Sequence, residues 1–191
     1  GTGGIVGSTV ISKSDGSYND LIITSAHNYG AILGTDNSGG IAGEAQAMMT
    51  DCYNEGSVEA TGDFAGGLAG YTPTVVINNS YNNGAVDANK FAGGLLARAA
   101  YYIVTNSSNL GPVTASHGMA AGILTLGGTT GMINFCTNYA SVRGAVYVAG
   151  IIAHSGETKS FTKRDFASIV VSTGKGTCLH QRVRRLNPEF L

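Results

Sequence analysis

Two short motifs recur along this chain at nearly one period, and that recurrence limits its possible folds more than any other feature. Gly-Gly-Ile/Leu stands at Gly3-Gly4-Ile5, Gly39-Gly40-Ile41, Gly66-Gly67-Leu68 and Gly93-Gly94-Leu95, and continues as Ala121-Gly122-Ile123 and Ala149-Gly150-Ile151. After a first interval of 36 residues, the steps are 27, 27, 28 and 28. A second block runs in phase with it: Cys52-Tyr-Asn54-Glu-Gly56-Ser-Val58, then its counterparts from Ser80 to Val86, Ser107 to Val113 and Cys136 to Val142. A divergent early copy spans Ala26 to Ile32. Repetition of this kind signals a stack of similar units, each burying its apolar side against the next.

Alternation inside the second block gives the local structure. Cys52, Asn54, Gly56, Val58 and Ala60 are small or apolar, whereas Tyr53, Glu55, Ser57, Glu59 and Thr61 are polar or amphipathic. A period of two marks a half-buried strand. Matching residues in successive copies predict inward columns, formed when strands lie on one another about 4.8 Å apart. No helical period survives within a unit, and each Gly would weaken a helix by roughly 1 kcal/mol relative to Ala. The expected fold is therefore all-β: a parallel β-solenoid, or β-helix, of about five to six coils with 27–28-residue repeats, each coil holding two or three short strands. A β-propeller or sandwich is the second architecture, but a four-stranded blade needs about 40 residues or more.

The Asn column, Asn28, Asn54, Asn82, Asn109 and Asn138, is the most regular. A side-chain amide both donates and accepts, so stacked copies can bond along the coil axis. The Gly two residues later needs either a positive φ or a close backbone approach, and Ala140 interrupts that series. Ile5, Ile41, Leu68, Leu95, Ile123 and Ile151 form an apolar column, and Phe64, Phe91, Met119 and Tyr147 form another just before the glycines.

Asn-x-Gly-x-Val followed by Ala-Gly-Gly-Leu-Ala-Gly, as in Asn54 to Gly70, resembles the GLUG-type repeats of bacterial surface and secreted proteins. Such repeats occur in adhesin-like chains and outside the catalytic part of some immunoglobulin A-cleaving peptidases. The resemblance covers roughly residues 3 to 156, and the peptidase His-Glu-x-x-His motif is missing. It implies a stalk or binding segment at the cell surface or outside the cell.

Composition narrows the classes further. Charged residues are 12% of the 191, and 43% are hydrophobic, which excludes a disordered chain. Gly is frequent at 29 residues, but without a three-residue period and with only 3 Pro, which excludes collagen. The apolar run from Val146 to Ala153 is eight residues, far short of the roughly 18 that a membrane helix needs. No membrane insertion is expected, and a net charge of −1 argues against nucleic acid as a main partner. The sequence begins at Gly1 without a basic-then-apolar leader, and any export signal is expected upstream.

The repeat stops near residue 156. Residues 1–156 carry a net charge of −5 and residues 157–191 one of +4, with 7 of the 11 basic residues. Two domains follow: a solenoid over 1–156 and a C-terminal cap or tail over 157–191. Phe161 to Val171 suits a cap over the open end, as a short helix or an irregular strand. Cys178 to Leu191 also reads as appended, non-native sequence, and the basic tail as a nucleic-acid arm, though one poor in stacking aromatics.

The chemistry-bearing residues give few constellations. His27, His117, His154 and His180 fall in different columns, so no metal and no cofactor are expected. Cys52 and Cys136 share an inward column three coils apart, roughly 14 Å, beyond disulfide reach. They are expected to be free and buried. Glu59 and Asp87 hold equivalent outward positions on adjacent coils, with Glu55 on the same outward parity as Glu59. Carboxyl pairs about 5 Å apart serve retaining glycosidases, so Glu55, Glu59 and Asp87 are the candidate acids of a hydrolase or lyase acting on a polysaccharide or ester. Arg98 and Arg143 are the Arg residues within the repeats that a pectate-lyase-like site would use. The outward positions Thr61, Asn89, Ser116 and Ala145 are too mixed for an ice-binding face, and no nucleophile elbow or phosphate loop is present. Tyr29, Tyr53, Tyr81 and Tyr139 are outward by the alternation and suit contact with a ligand. The leading expectation is a noncatalytic segment presenting a flat face to carbohydrate or to a host or surface protein, with end-to-end or edge association as a further partner mode.

Overall fold

The computed structural model describes residues 1–9, 21–155, 169–173 and 177–181. All regular structure among them is β, in five coils and the start of a sixth. Each coil crosses four parallel sheets rather than the two or three strands expected. A glycine sheet contains Thr2–Gly3, Ser38–Gly39, Phe64–Gly66, Phe91–Gly93, Met119–Ala121 and Val148–Ala149. The long sheet follows, with Ala69–Asn78, Leu96–Thr105 and Leu124–Asn134 as its longest strands. An asparagine sheet comes next: His27–Asn28, Tyr53–Asn54, Tyr81–Asn82, Ser108–Asn109 and Thr137–Asn138. A valine sheet closes the coil: Ile32–Gly34, Val58–Ala60, Val86–Ala88, Val113–Ala115 and Val142–Gly144.

The block read as one alternating strand from Cys52 to Ala60 is thus two strands in different sheets. Its alternation runs unbroken through the bend at 55–57, so burial parity alone could not show the corner. The longer first interval has a definite place. Ser8 pairs with Glu44 and Leu21 with Ala47, so the additional residues lie between Ser8 and Leu21. Beyond the solenoid, Ile169–Thr173 pairs antiparallel with Thr177–Gln181. Most of the expected cap, Phe161 to Val171, and residues 182–191 of the expected tail lie outside the described residues.

The in-register columns are present. Asn28 Nδ2 donates to Asn54 Oδ1 at 2.7 Å, Asn54 to Asn82 at 2.7 Å, Asn82 to Asn109 at 2.8 Å and Asn109 to Asn138 at 2.8 Å. The same nitrogens also donate to the carbonyl two residues on, at Gly30, Gly56, Gly84, Gly111 and Ala140. Both N–H bonds of the middle amides are therefore used inside a fully buried column.

The two sequence motifs keep phase because they touch. A methyl group placed on Gly67 would overlap the Asn82 amide, and one on Gly94 the Asn109 amide. Gly40 and Gly122 meet Asn54 and Asn138 in the same way. The Gly after each Asn is required for a different close approach: a side chain on Gly84 would strike the Gly56 carbonyl of the coil before. Close approach, one of the two alternatives posed by the sequence, explains both glycine series.

These contacts divide the interior. One core joins Ile41, Leu68, Leu95 and Ile123 to Met49, Ile77 and Val104 of the long sheet. A smaller one joins Val58, Val86, Val113 and Val142 to Ala65, Ala92 and Ala120. Along the chain Gly67 falls between Ala65 of one core and Leu68 of the other, and Asn54 between Cys52 and Val58. The amide ladder is the polar seam between them. Cys52 and Cys136 are both buried, as expected. Each thiol donates to a carbonyl two residues earlier, Thr50 and Asn134, as the Ser80 and Ser107 hydroxyls do to Asn78 and Thr105.

Asn82→Ala strands the Asn54 donor and the Asn109 acceptor, and is expected to cost about 3 kcal/mol. The exposed neighbour Asn83→Ala should stay within about 0.5 kcal/mol. Urea unfolding followed by circular dichroism measures both. Gly94→Ala should destabilise at least as much as Asn82→Ala, because the ladder must part to admit the methyl group.

Candidate functional site

Register puts each outward residue beside its counterpart one coil away, so the outer surface consists of columns. On the valine sheet the column is Leu33, Glu59, Asp87, Thr114 and Arg143. Glu59 and Asp87 are direct partners and both exposed. Glu55 stands apart from them. It follows the asparagine strand, and its carboxylate accepts the Tyr81 hydroxyl at 3.1 Å. The equal parity of Glu55 and Glu59 therefore does not place them on one sheet. Arg143 shares the column of the acids two coils beyond Asp87, whereas Arg98 lies on the long sheet over the Tyr71 and Phe64 rings at 5.3 and 5.8 Å.

The four tyrosines divide between two columns of the asparagine sheet. His27, Tyr53, Tyr81, Ser108 and Thr137 form one. Tyr29, Glu55, Asn83, Leu110 and Tyr139 form the next, each backbone N–H from Glu55 onward donating to an Asn carbonyl of the coil before. Tyr53 and Tyr81 stack at 4.3 Å and 23°, and His27 lies 4.6 Å from Tyr53. Their faces are spent largely on each other. Tyr29 and Tyr139 remain 70% and 64% exposed. Burial, followed by the bond to Glu55 and its charge, raises the Tyr81 pKa above the ordinary tyrosine value.

Two outer features went unread in the sequence. The first is an apolar column on the long sheet: Ile22, Met48, Val76, Ile103 and Met132. It runs through all five coils, beside Thr74, Tyr101 and Thr130 and beside Thr24, Thr50, Asn78, Thr105 and Asn134. None of these side chains is charged. Val76, Ile103 and Met132, with Thr74, Tyr101 and Thr130, border a shallow cavity of about 480 Å³. The sequence signal was there, because these residues share one repeat phase. It was masked by apolar neighbours such as Val75 and Ile77, which face inward.

The second feature is the corner between the long and asparagine sheets. Ser25, Asp51, Asn79, Asn106 and Phe135 occupy it, with φ from 47° to 55°. Asp and Asn tolerate this left-handed conformation because their short polar side chains bond locally. A bulky aromatic does not share that advantage, and such strain costs on the order of 1–3 kcal/mol. Phe135 is nevertheless there, 62% exposed.

Among the described residues, no group of three or more His, Cys, Asp or Glu could hold a metal ion. No protein-family model, curated protein or solved structure matches the chain.

Two outcomes follow. Phe135→Asn should stabilise the fold by about 1 kcal/mol, read as a higher midpoint in thermal unfolding. Glu55→Gln should lower the Tyr81 pKa toward the usual value, since it removes the carboxylate that favours the protonated phenol. Ring-carbon NMR titration of Tyr81 reads this shift directly.

Proposed function

We propose that this chain is a noncatalytic binding segment of a cell-surface or secreted protein, a rigid β-solenoid that presents broad outer faces to carbohydrate or protein. The observation that carries the reading is the uncharged stretch of the long sheet's outer face around its five-coil apolar column from Ile22 to Met132. Contiguous exposed apolar surface is uncommon on isolated soluble domains and marks interaction sites. Stacked parallel strands also hold outward groups at a fixed spacing, which suits an extended partner lying along the axis. The resemblance of the repeat to GLUG-type segments supports the same assignment, including the bacterial, adhesin-like setting.

The direct pairing of Glu59 with Asp87 supports a second reading, a hydrolase or lyase acting on a polysaccharide or ester. The two readings separate cleanly. Labelled protein is applied to arrays of glycans and of extracellular proteins, and the bound glycans are then assayed for cleavage. The binding reading predicts saturable capture without turnover, and no effect of Glu59→Gln or Asp87→Asn. Turnover that disappears in either variant while the fold stays intact would establish the enzyme instead.

A further inference from the structure

The aromatic stack on the asparagine sheet stops partway. In coils one to three its outward positions are His27, Tyr53 and Tyr81, and in coils four and five they are Ser108 and Thr137. Tyr53 covers one face of Tyr81 at 4.3 Å. The opposite face is turned toward Ser108, whose side chain is too short to cover a ring. Two coils of small hydroxyl residues leave a notch roughly 10 Å long at about 4.8 Å per coil.

In coil five, beside Thr137, the notch is flanked by aromatics where its floor has none. Phe135 and Tyr139 lie two residues before and after Thr137, at the two ends of its short strand Thr137–Asn138. They are 62% and 64% exposed. Phe135 is also the one bulky residue among the five left-handed corner positions, where the other coils have Ser, Asp or Asn. The backbone conformation disfavours it, so its presence calls for a role outside folding. Two independent features, an interrupted stack and a strained aromatic, therefore meet at coils four and five.

We propose that this notch is a carbohydrate-binding subsite, taking about two pyranose rings of a neutral oligosaccharide along the solenoid axis. The inference rests on the binding-segment reading and gives it a ligand class and a place. A pyranose has an apolar face of C–H groups that packs on the electron-rich face of an aromatic ring, and a rim of hydroxyls. The Tyr81 face provides the first contact, Phe135 and Tyr139 flank the sugar, and the Ser108 and Thr137 hydroxyls exchange hydrogen bonds with its rim. The five residues are all uncharged. That favours neutral sugars over uronic or sialic acids.

The test uses the full chain, titrated in NMR with cellohexaose, xylohexaose, mannohexaose and chitohexaose, and with hexagalacturonate as the acidic comparison. The expected result is saturable binding of at least one neutral hexaose, with the largest shifts at Tyr81, Ser108 and Thr137. Tyr139→Ala and Phe135→Asn should each weaken it by about tenfold. Ser108→Tyr should abolish it by extending the stack into the notch, with thermal stability retained. No shift with any neutral hexaose at millimolar concentration overturns the subsite, as does equal or tighter binding of hexagalacturonate. Binding that maps to the long sheet, or that survives all three variants, overturns the subsite and leaves the binding-segment reading standing.

Discussion

Each coil must lie on the previous one in register, and the buried amide column enforces it. An Asn displaced by one residue would leave its Nδ2 or Oδ1 unpaired in the interior, at a cost of on the order of 1–3 kcal/mol per group. The bonds from Asn28 through Asn138 leave the middle amides no alternative partners. The glycines complete the constraint. Gly67 and Gly94 admit the amides from the facing side, so the two sequence motifs are two halves of one contact. The seam they form separates a large core of Ile, Leu and Met from a small one of Val and Ala. Hydrophobic burial then stabilises a geometry that hydrogen bonding has already selected.

Much of this was legible because direct stacking turns structure into repetition. The asparagine column, the interior run Ile41, Leu68, Leu95 and Ile123, and the buried state of Cys52 and Cys136 all follow from period and parity. The corners were not legible. Alternation continues through the bend at 55–57, so Glu55 and Glu59 look like neighbours on one strand and are not. Tyr29 follows its Asn and Tyr53 precedes its own, and that two-residue difference of phase puts them in separate columns. In the long strands, Val75, Val76 and Ile77 are all apolar, so composition could not tell the inward pair from the outward member.

Surface chemistry in such a fold is read best as departure from a column. An interior substitution is tested against the coils above and below it, whereas an outward one is free to vary. The outward places where variation has a pattern are few. They are the uncharged apolar column of the long sheet, the change from aromatic to hydroxyl after Tyr81, and Phe135 in a conformation suited to Asn. The carboxylates show no comparable concentration. Glu59 and Asp87 are partners on the valine sheet, while Glu55 is engaged with Tyr81 on another.

Hydrogen exchange of the side-chain amides, followed by NMR, tests the amide column most directly. If the column holds the coils in register, the Nδ2 protons of Asn54, Asn82 and Asn109 exchange only when the solenoid opens, orders of magnitude more slowly than those of exposed Asn83 and Asn106. Equal exchange of Asn82 and Asn83 would contradict the account, because it would mean that the interior amides meet water without any loss of the fold.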